Sequence, residues 1–322
     1  MDNGNTLVSC RNCGSTNVLI LHQGCIAPFF LKRVHSLQMS SIEDHFNDKA
    51  NKPKSLPIMI LRKLWYKYIL LNTIYKQLRN FKSKITTDIR ACRDCHFIGP
   101  DTNYTGDMLN GLYADYRSEL YNNERELFEA NYGEIKNNVG KNEAEIVNRL
   151  KNVSRLMHNI NLQKINTVLD WGGGEGKFVP IELKDKKVYI LDVSNEPLVN
   201  QQYVRINQPT PNIKADYIQM CHLLEHIGSP REFLMEAMQY LNRGGYVYIE
   251  VPQDQSEAHV KHFFDGDRHP VHIIHEHLNL FTVTSIKALA KSIGLKEIAV
   301  ESNLVDFGWH RCQIISGLFM KQ

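Results

Sequence analysis

The chain has 322 residues, 43% hydrophobic and 23% charged, with a net charge of +3 at pH 7. It is long enough for one large domain and a smaller one, and its charge is too small to point to nucleic acid. No apolar run approaches the ~20 residues of a membrane-spanning helix, and the start, "MDNGNTLVSC", has no basic region followed by an apolar stretch, so a cytoplasmic protein without an export signal is expected.

The first element in chain order is a Cys-x-x-Cys pair, "CRNCG", holding Cys10 and Cys13. The second pair, "CRDCH", holds Cys92 and Cys95. Two thiolates at this spacing grip one side of a tetrahedral zinc, and two such knuckles close a four-sulfur structural site with no position left for water. Four unrelated reduced cysteines are the plainer alternative. Cys25 stands outside both pairs and is expected to be simply buried. The long gap reads as an insertion at about residues 26–88 of a zinc-ribbon-like domain covering 1–100. From Lys49 to Thr87 the insertion has no Asp or Glu. Within it Ile60, Leu61, Leu64, Trp65, Tyr68, Leu71, Tyr75 and Leu78 recur at helical spacing. A basic amphipathic helix of this kind suits either packing on its own domain with a solvated basic face or contact with a membrane surface or a phosphate-bearing substrate.

Residues 101–140 form a connecting segment with the tyrosine-rich stretch "LNGLYADYRSELY". Then "KNNVGKNEAEIVNRLKNVSRLM" predicts an amphipathic helix, and "INTVLDWGGGEGKFVPIEL" predicts a strand, a glycine-rich turn and a helix start. This is how a doubly wound parallel sheet begins, with its ligand at the carboxyl end of the first strand. "KVYILDV" predicts a second strand ending near Asp192, whose carboxylate suits both ribose hydroxyls of an adenosine-type cofactor. "ADYIQM" follows as a strand, "SPREFLMEAMQYL" as a helix, "GGYVYIEVP" as a strand and "TVTSIKALAKSIGL" as a helix. "KEIAVES" and "HRCQIISGLFMK" complete a seven-stranded α/β core over 141–322. The dinucleotide fingerprint does not fit, because Lys177 stands where it wants glycine.

Over about residues 140–322 the sequence resembles the class I methyltransferases that use S-adenosylmethionine. The resemblance rests on "VLDWGGGEGKF", the acidic end of the second strand, "CHLLEHIGSPREFLMEAMQYLNRGGYVYIEVP" and "HEHLNLFT". It implies a Rossmann-like fold, with Gly172, Gly174 and Gly176 around the methionine and ribose of the cofactor. Asp170 is expected near the cofactor's amino group and Asp192 on the ribose. No Asp or Glu occurs between Glu196 and Asp216, so backbone is expected to meet the adenine. Cysteine knuckles, a tyrosine-rich segment and this core together resemble the sugar C-methyltransferases with an N-terminal zinc-binding domain. That resemblance implies a nucleotide sugar or surface-glycan residue as acceptor and a place in polysaccharide biosynthesis. The family's Tyr-His-Glu-His motif appears as "IHEH", with Ile274 in place of tyrosine, and the further C-terminal domain of those relatives is not expected here.

Six histidines, His259, His262, His269, His272, His275 and His277, crowd one stretch with Glu276 among them. An acceptor hydroxyl, or a carbon beside a ketone, must lose a proton as it attacks the methyl group, and histidine titrates in the right range to take it. By the resemblance, His277 is the expected base with Glu276 orienting it or sharing the work. His222 is expected to face the methyl group and Tyr116 to reach the sugar. A metal held by His269, His272 and His275 is the alternative, since imidazoles suit zinc, copper or nickel. Two rival functions are an RNA methyltransferase, to which the zinc module and basic insertion would lend themselves, and a binding scaffold that keeps the cofactor pocket without turnover. The composition does not favour nucleic acid as a partner, and the oligomeric state is not fixed by the sequence.

Overall fold

A computed structural model describes residues 9–35, 86–116, 118–129, 132–265 and 272–322. The basic amphipathic segment and His269 lie outside these residues, as do the side chains of Cys25, His262 and His272. Among the described residues no helix is long and apolar enough to cross a membrane.

The larger sheet has seven strands: β4 (Thr167–Trp171), β5 (Lys187–Leu191), β6 (Val204–Ile206), β7 (Ala215–Cys221), β8 (Leu241–Pro252), β10 (Leu295–Asp306) and β11 (Arg311–Lys321). Their order is β10-β11-β8-β7-β4-β5-β6. The strands from β6 to β8 run parallel, and β11 is inserted antiparallel between β8 and β10. Parallel strands covered on both faces must be apolar almost throughout. Val168, Leu169, Ile218, Val247 and Ile249 meet that need, all fully buried. The helix α5 (Glu143–Met157) covers one face through Val153, Leu156 and Met157. The other face is covered by α6 (Pro230–Ala237) and α8 (Val283–Ser292), through Leu234, Ala237, Ile286 and Leu289. This is the expected Rossmann-like methyltransferase fold.

Two local expectations differ. The helix expected over residues 136–157 is broken: α4 (Tyr132–Asn138) ends before Gly140, which adopts φ +67°, and Asn142 caps the start of α5 by accepting the Ala144 amide. A left-handed glycine followed by a capping asparagine separates two helices more strongly than apolar periodicity joins them. Past the glycine-rich turn only a single 3-10 turn forms, Ile181–Leu183. Pro180 lacks an amide hydrogen and pushes the residue before it out of the helical region, so no helix grows through it.

The smaller sheet is built from β1 (Val18–Ile26), β2 (Thr86–Cys92), β3 (Ile98–Pro100) and β9 (His272–Ile274), in the order β3-β2-β1-β9. β9 comes from the far side of the chain and pairs parallel to β1, setting Gly24 opposite His272 and Ile26 opposite Ile274. A further bridge joins Ile98 to Leu280. The expected division at residue 140 is therefore crossed by a strand. Beside this sheet lie α1 (Pro28–His35), α2 (Gly106–Tyr113), α3 (Glu119–Phe128) and α4, which enclose Phe29, Phe30, Tyr104, Leu112 and Tyr121 around Ile274 and Leu278. The residues between the two sheets form the candidate site.

Candidate active site

The glycine-rich turn leaves the carboxyl end of β4. Gly172, Gly174 and Gly176 have φ values of +75°, +55° and +79°, which side chains disfavour. Asp170, at the end of β4, is buried, and neither carboxylate oxygen has a hydrogen-bond partner among the described residues. A Cβ on Gly173 would come within 2.4 Å of that carboxyl, so the turn's backbone lies directly over it. Burial pushes the Asp170 carboxyl up to about 7. An unpaired buried carboxyl under a glycine cradle fits a ligand bearing an ammonium group, such as the methionine end of S-adenosylmethionine. Asp192, just past β5, accepts the Gly174 amide on Oδ2 at 2.8 Å and the Ser194 amide on Oδ1 at 2.7 Å. Each oxygen keeps a further lone pair, so the ribose contact expected of it remains open. Arg205 donates to the carbonyls of Gly174, Ser194 and Glu196 and fastens this edge.

From the end of β7 the segment 222–228 crosses from the glycine turn to the smaller sheet. Leu223 lies against Gly172, where a Cβ would sit 3.1 Å from the leucine side chain. His222 holds φ +53°, and its amide donates to the Glu250 carbonyl at 2.8 Å. Its ring spans two buried carboxylates, with Nδ1 3.3 Å from Glu225 and Nε2 3.5 Å from Glu250. Glu250 is held from behind by Arg149, at 2.8 and 3.0 Å, and by the Tyr248 hydroxyl at 2.9 Å. The Arg149 charge keeps the Glu250 carboxyl low against the opposing effect of burial. A charge pair out of water needs this degree of hydrogen bonding to persist.

The same segment is clamped to the loop after β9. The Glu225 carbonyl accepts the Leu278 and Asn279 amides, and the Asn279 side chain donates to the carbonyls of Leu224 and Ile227. The clamp brings His226 to His277, with ring centroids 5.1 Å apart. His226 Nδ1 donates to the Glu276 carbonyl at 2.9 Å, and His277 Nδ1 bonds Asp254 Oδ2 at 3.1 Å. Burial lowers His226 to about 4, so its imidazole is neutral at ordinary pH. For His277 burial works the same way, but the Asp254 hydrogen bond and the Glu225 charge outweigh it and leave the net shift upward. Burial opposes ionisation of Glu225 as well, yet the bond from His222 and the neighbouring imidazoles hold it down at about 2. On the far side the Tyr113 ring meets His226 edge-on at 6.1 Å, and its buried hydroxyl has no partner among the described residues. Tyr116 packs edge-on against Tyr113 and Tyr121.

His222 and His277 thus both lie around the Glu225 carboxylate, with Tyr113 packed on His226 and Tyr116 on Tyr113. Glu276 does not contact His277 through its carboxylate: it forms an ion pair with Arg125 of α3, while Asp254 takes the place beside His277. The histidine trio named as the alternative metal set includes His269 and the His272 side chain, which lie outside the described residues; among the described residues Glu225, His226 and His277 gather, with one ligand atom of each within 4.8 Å of the others. Glu225, His226, Tyr113 and Asp254 escape sequence reasoning. Glu225 and His226 do stand in "CHLLEHIGSP", where a carboxylate and a histidine beside a Gly-Ser-Pro break are a usable signal.

Away from this pocket, Cys10, Cys13, Cys92 and Cys95 converge. Cys10 and Cys95 sulfurs lie 3.7 Å apart, as do those of Cys13 and Cys92. A sulfur tetrahedron with bonds of about 2.3 Å has edges of about 3.8 Å, so the spacing suits zinc. The two knuckles share one turn geometry: the Gly14 amide reaches the Cys10 carbonyl and the His96 amide the Cys92 carbonyl, each at 2.9 Å, with φ +82° and +60°. Asn12, fully buried in the first knuckle, donates to the Ser285 carbonyl in the first turn of α8.

A family model described as a methyltransferase domain matches residues 136–300. No curated protein matches the chain. Among solved structures, it is similar to the 1,6-didemethyltoxoflavin-N1-methyltransferase of Burkholderia thailandensis, with 16% identity over 62% of this chain and 87% of that one and a TM-score of 0.43. It is similar to an S-adenosylmethionine-dependent methyltransferase of Thermotoga maritima, with 15% identity over 61% and 99% of the two chains and a TM-score of 0.42. A methyltransferase of Methanosarcina mazei shares 16% identity over 52% and 96%, with a TM-score of 0.39.

Proposed function

The chain belongs to the methyltransferase-domain family, and from that premise we propose that this S-adenosylmethionine-dependent methyltransferase acts on a sugar, either nucleotide-linked or part of a surface glycan. The bound cofactor supplies an electrophilic methyl group on a sulfonium. Gly172, Gly174 and Gly176 would hold its methionine and ribose, with Asp170 toward its ammonium group and Asp192 toward the ribose hydroxyls. The chain's remaining work is to align an acceptor with that methyl group and to take up the acceptor's proton.

One observation carries the reading. The set of Glu225, His226 and His277, with Glu225 fully buried, lies on and against a segment whose Leu223 rests on the glycine turn. A proton acceptor is thereby linked to the cofactor cradle by clamped backbone. His277 is the base, oriented by Asp254, and Glu276 acts through its carbonyl on His226 and through Arg125 on the acceptor wall. His222, fixed between two carboxylates, faces the methyl group. Tyr113 and Tyr116 offer the flat aromatic edges and a hydroxyl that suit a sugar. The "IHEH" motif and the tyrosine-rich segment support a sugar over a larger acceptor, and the converged cysteines suit a structural zinc that steadies the smaller sheet.

The test is transfer of labelled methyl from S-adenosylmethionine to a panel of nucleotide sugars and glycan fragments. Cofactor-dependent labelling of one of them is expected. Labelling of RNA, with no sugar labelled, overturns the acceptor assignment while leaving the methyltransferase.

A further inference from the structure

We propose that Glu225, His226 and His277 form a binding site for a divalent transition-metal ion such as Zn2+, separate from the four-cysteine site. Three features of the geometry carry it. First, one ligand atom from each residue lies within 4.8 Å of the other two. Second, both imidazoles have Nδ1 engaged, His226 with the Glu276 carbonyl and His277 with the Asp254 carboxylate. In metal sites the ligating histidine gives its other ring nitrogen to a carbonyl or carboxylate, which fixes the tautomer and turns Nε2 to the ion. Here both histidines are held in that way. Third, Glu225 is fully buried, and its carboxylate meets imidazole nitrogens only at the edge of hydrogen-bond reach or beyond it, His222 Nδ1 at 3.3 Å and His226 Nε2 at 3.9 Å from Oε1. A buried carboxylate held this loosely is costly, and a cation between it and two imidazoles lowers that cost.

Two histidines and one glutamate are a common catalytic zinc set, leaving a position open for water or substrate. With bonds of about 2.1 Å a tetrahedron has edges near 3.4 Å, so the His226–Glu225 separation closes by roughly half an ångström on binding. Tyr113, whose buried hydroxyl has no partner among the described residues, packs against His226. An ion bound here takes the His277 nitrogen that acts as base in the metal-free protein, and in its place makes a bound acceptor oxygen more acidic. His222, 3.3 Å from Glu225, stands outside the set because its Nδ1 faces that carboxylate and its Nε2 faces Glu250. The site is independent of the acceptor's identity.

The experiment is Co2+ titration of the full-length protein, after mild chelation that leaves a four-thiolate zinc in place, with S-adenosylhomocysteine binding measured on the same sample. Expected is one further equivalent of Co2+, with visible bands of nitrogen and oxygen ligation and without intense thiolate charge transfer. His226→Ala and His277→Ala should each weaken that binding at least tenfold, by analogy with the loss of an outer-sphere partner, while the exposed His158→Ala leaves it unchanged. Retained cysteine-bound zinc and an unchanged melting temperature show that the variants fold. Absence of the further equivalent in the unaltered protein, or its survival in both pocket variants, overturns the proposal. S-adenosylhomocysteine binding in that same sample shows that the methyltransferase reading stands regardless.

Discussion

At Asp170 a buried carboxyl group has no hydrogen-bond partner among the described residues. Its titration point rises in the fold from an ordinary 3.8 to about 7. Between those values the folded chain keeps a proton that the unfolded chain has released, so stability falls as pH climbs through that window. The loss reaches about 4 kcal/mol at its upper limit, by the size of the shift. Asp170→Asn should flatten this dependence, making the ligand-free protein more stable at pH 8 than the parent. Its affinity for S-adenosylhomocysteine should fall at least tenfold, or about 1.4 kcal/mol. Denaturant unfolding at pH 5 and pH 8 with a parallel calorimetric titration checks both halves; a parent whose stability is flat from pH 4 to 7 contradicts the first. His277→Ala should stop methyl transfer and leave cofactor affinity within about twofold, because His277 stands on the acceptor side of the segment 222–228. Turnover and S-adenosylhomocysteine affinity measured together separate those effects. At this scale the sequence is legible where backbone geometry constrains residue type. The three glycines and Asp192 are fixed by a turn and a strand end. Glu225 and His226 owe their positions to a clamp between segments about 50 residues apart, and Asp254 meets His277 across a separation of 23 residues, which no local pattern encodes.

Among the elements, β9 is the one that periodicity could not find. It is three residues long, and among the described residues it pairs with β1. By contrast β4, β5, β7 and β8 are buried on both faces, so their apolar runs announce them. The broken helix before β4 and the missing one after it show local chemistry, Gly140 with Asn142 and Pro180, overruling a plausible apolar pattern. Ile274 explains why the departure from the family's tyrosine matters structurally. Its side chain is fully buried among Phe29, Phe30, Tyr104 and Leu278. Ile274→Tyr restores the motif but forces a larger ring and a hydroxyl into that cluster. A cost of about 1–3 kcal/mol is expected from overpacking, with no gain in turnover. A variant as stable as the parent and faster would show that the tyrosine has room and a role here.

At the scale of the whole molecule, the cysteine cluster is tied to the acceptor pocket through shared structure. The first knuckle is joined to α8 by Asn12, and the strand leading from the second, β3, bridges to Leu280, three residues beyond His277. Cys92→Ser should therefore abolish zinc binding by the four cysteines, if they hold it as proposed, and loosen more than the smaller sheet. Hydrogen exchange is expected to rise in residues 272–281 as well as in β1 and β2, while residues of β4 and β7 stay protected. Faster exchange confined to residues 9–35 and 86–100 would mean the two regions are energetically separate. Sequence reading reached the two knuckles because their spacing is local. It did not reach their union with the pocket, since that depends on which strand closes the sheet.

That closing strand imposes a schedule on synthesis. Gly24 waits for His272, about 250 residues later, and at roughly 5–20 residues per second the ribosome needs some 10–50 s to supply it. During that interval one edge of β1 has no neighbour from this chain, and an unpaired strand edge is a template for the wrong partner. The nascent chain is thus most vulnerable to misassembly after β1 and β2 have formed and before residue 274 leaves the exit tunnel.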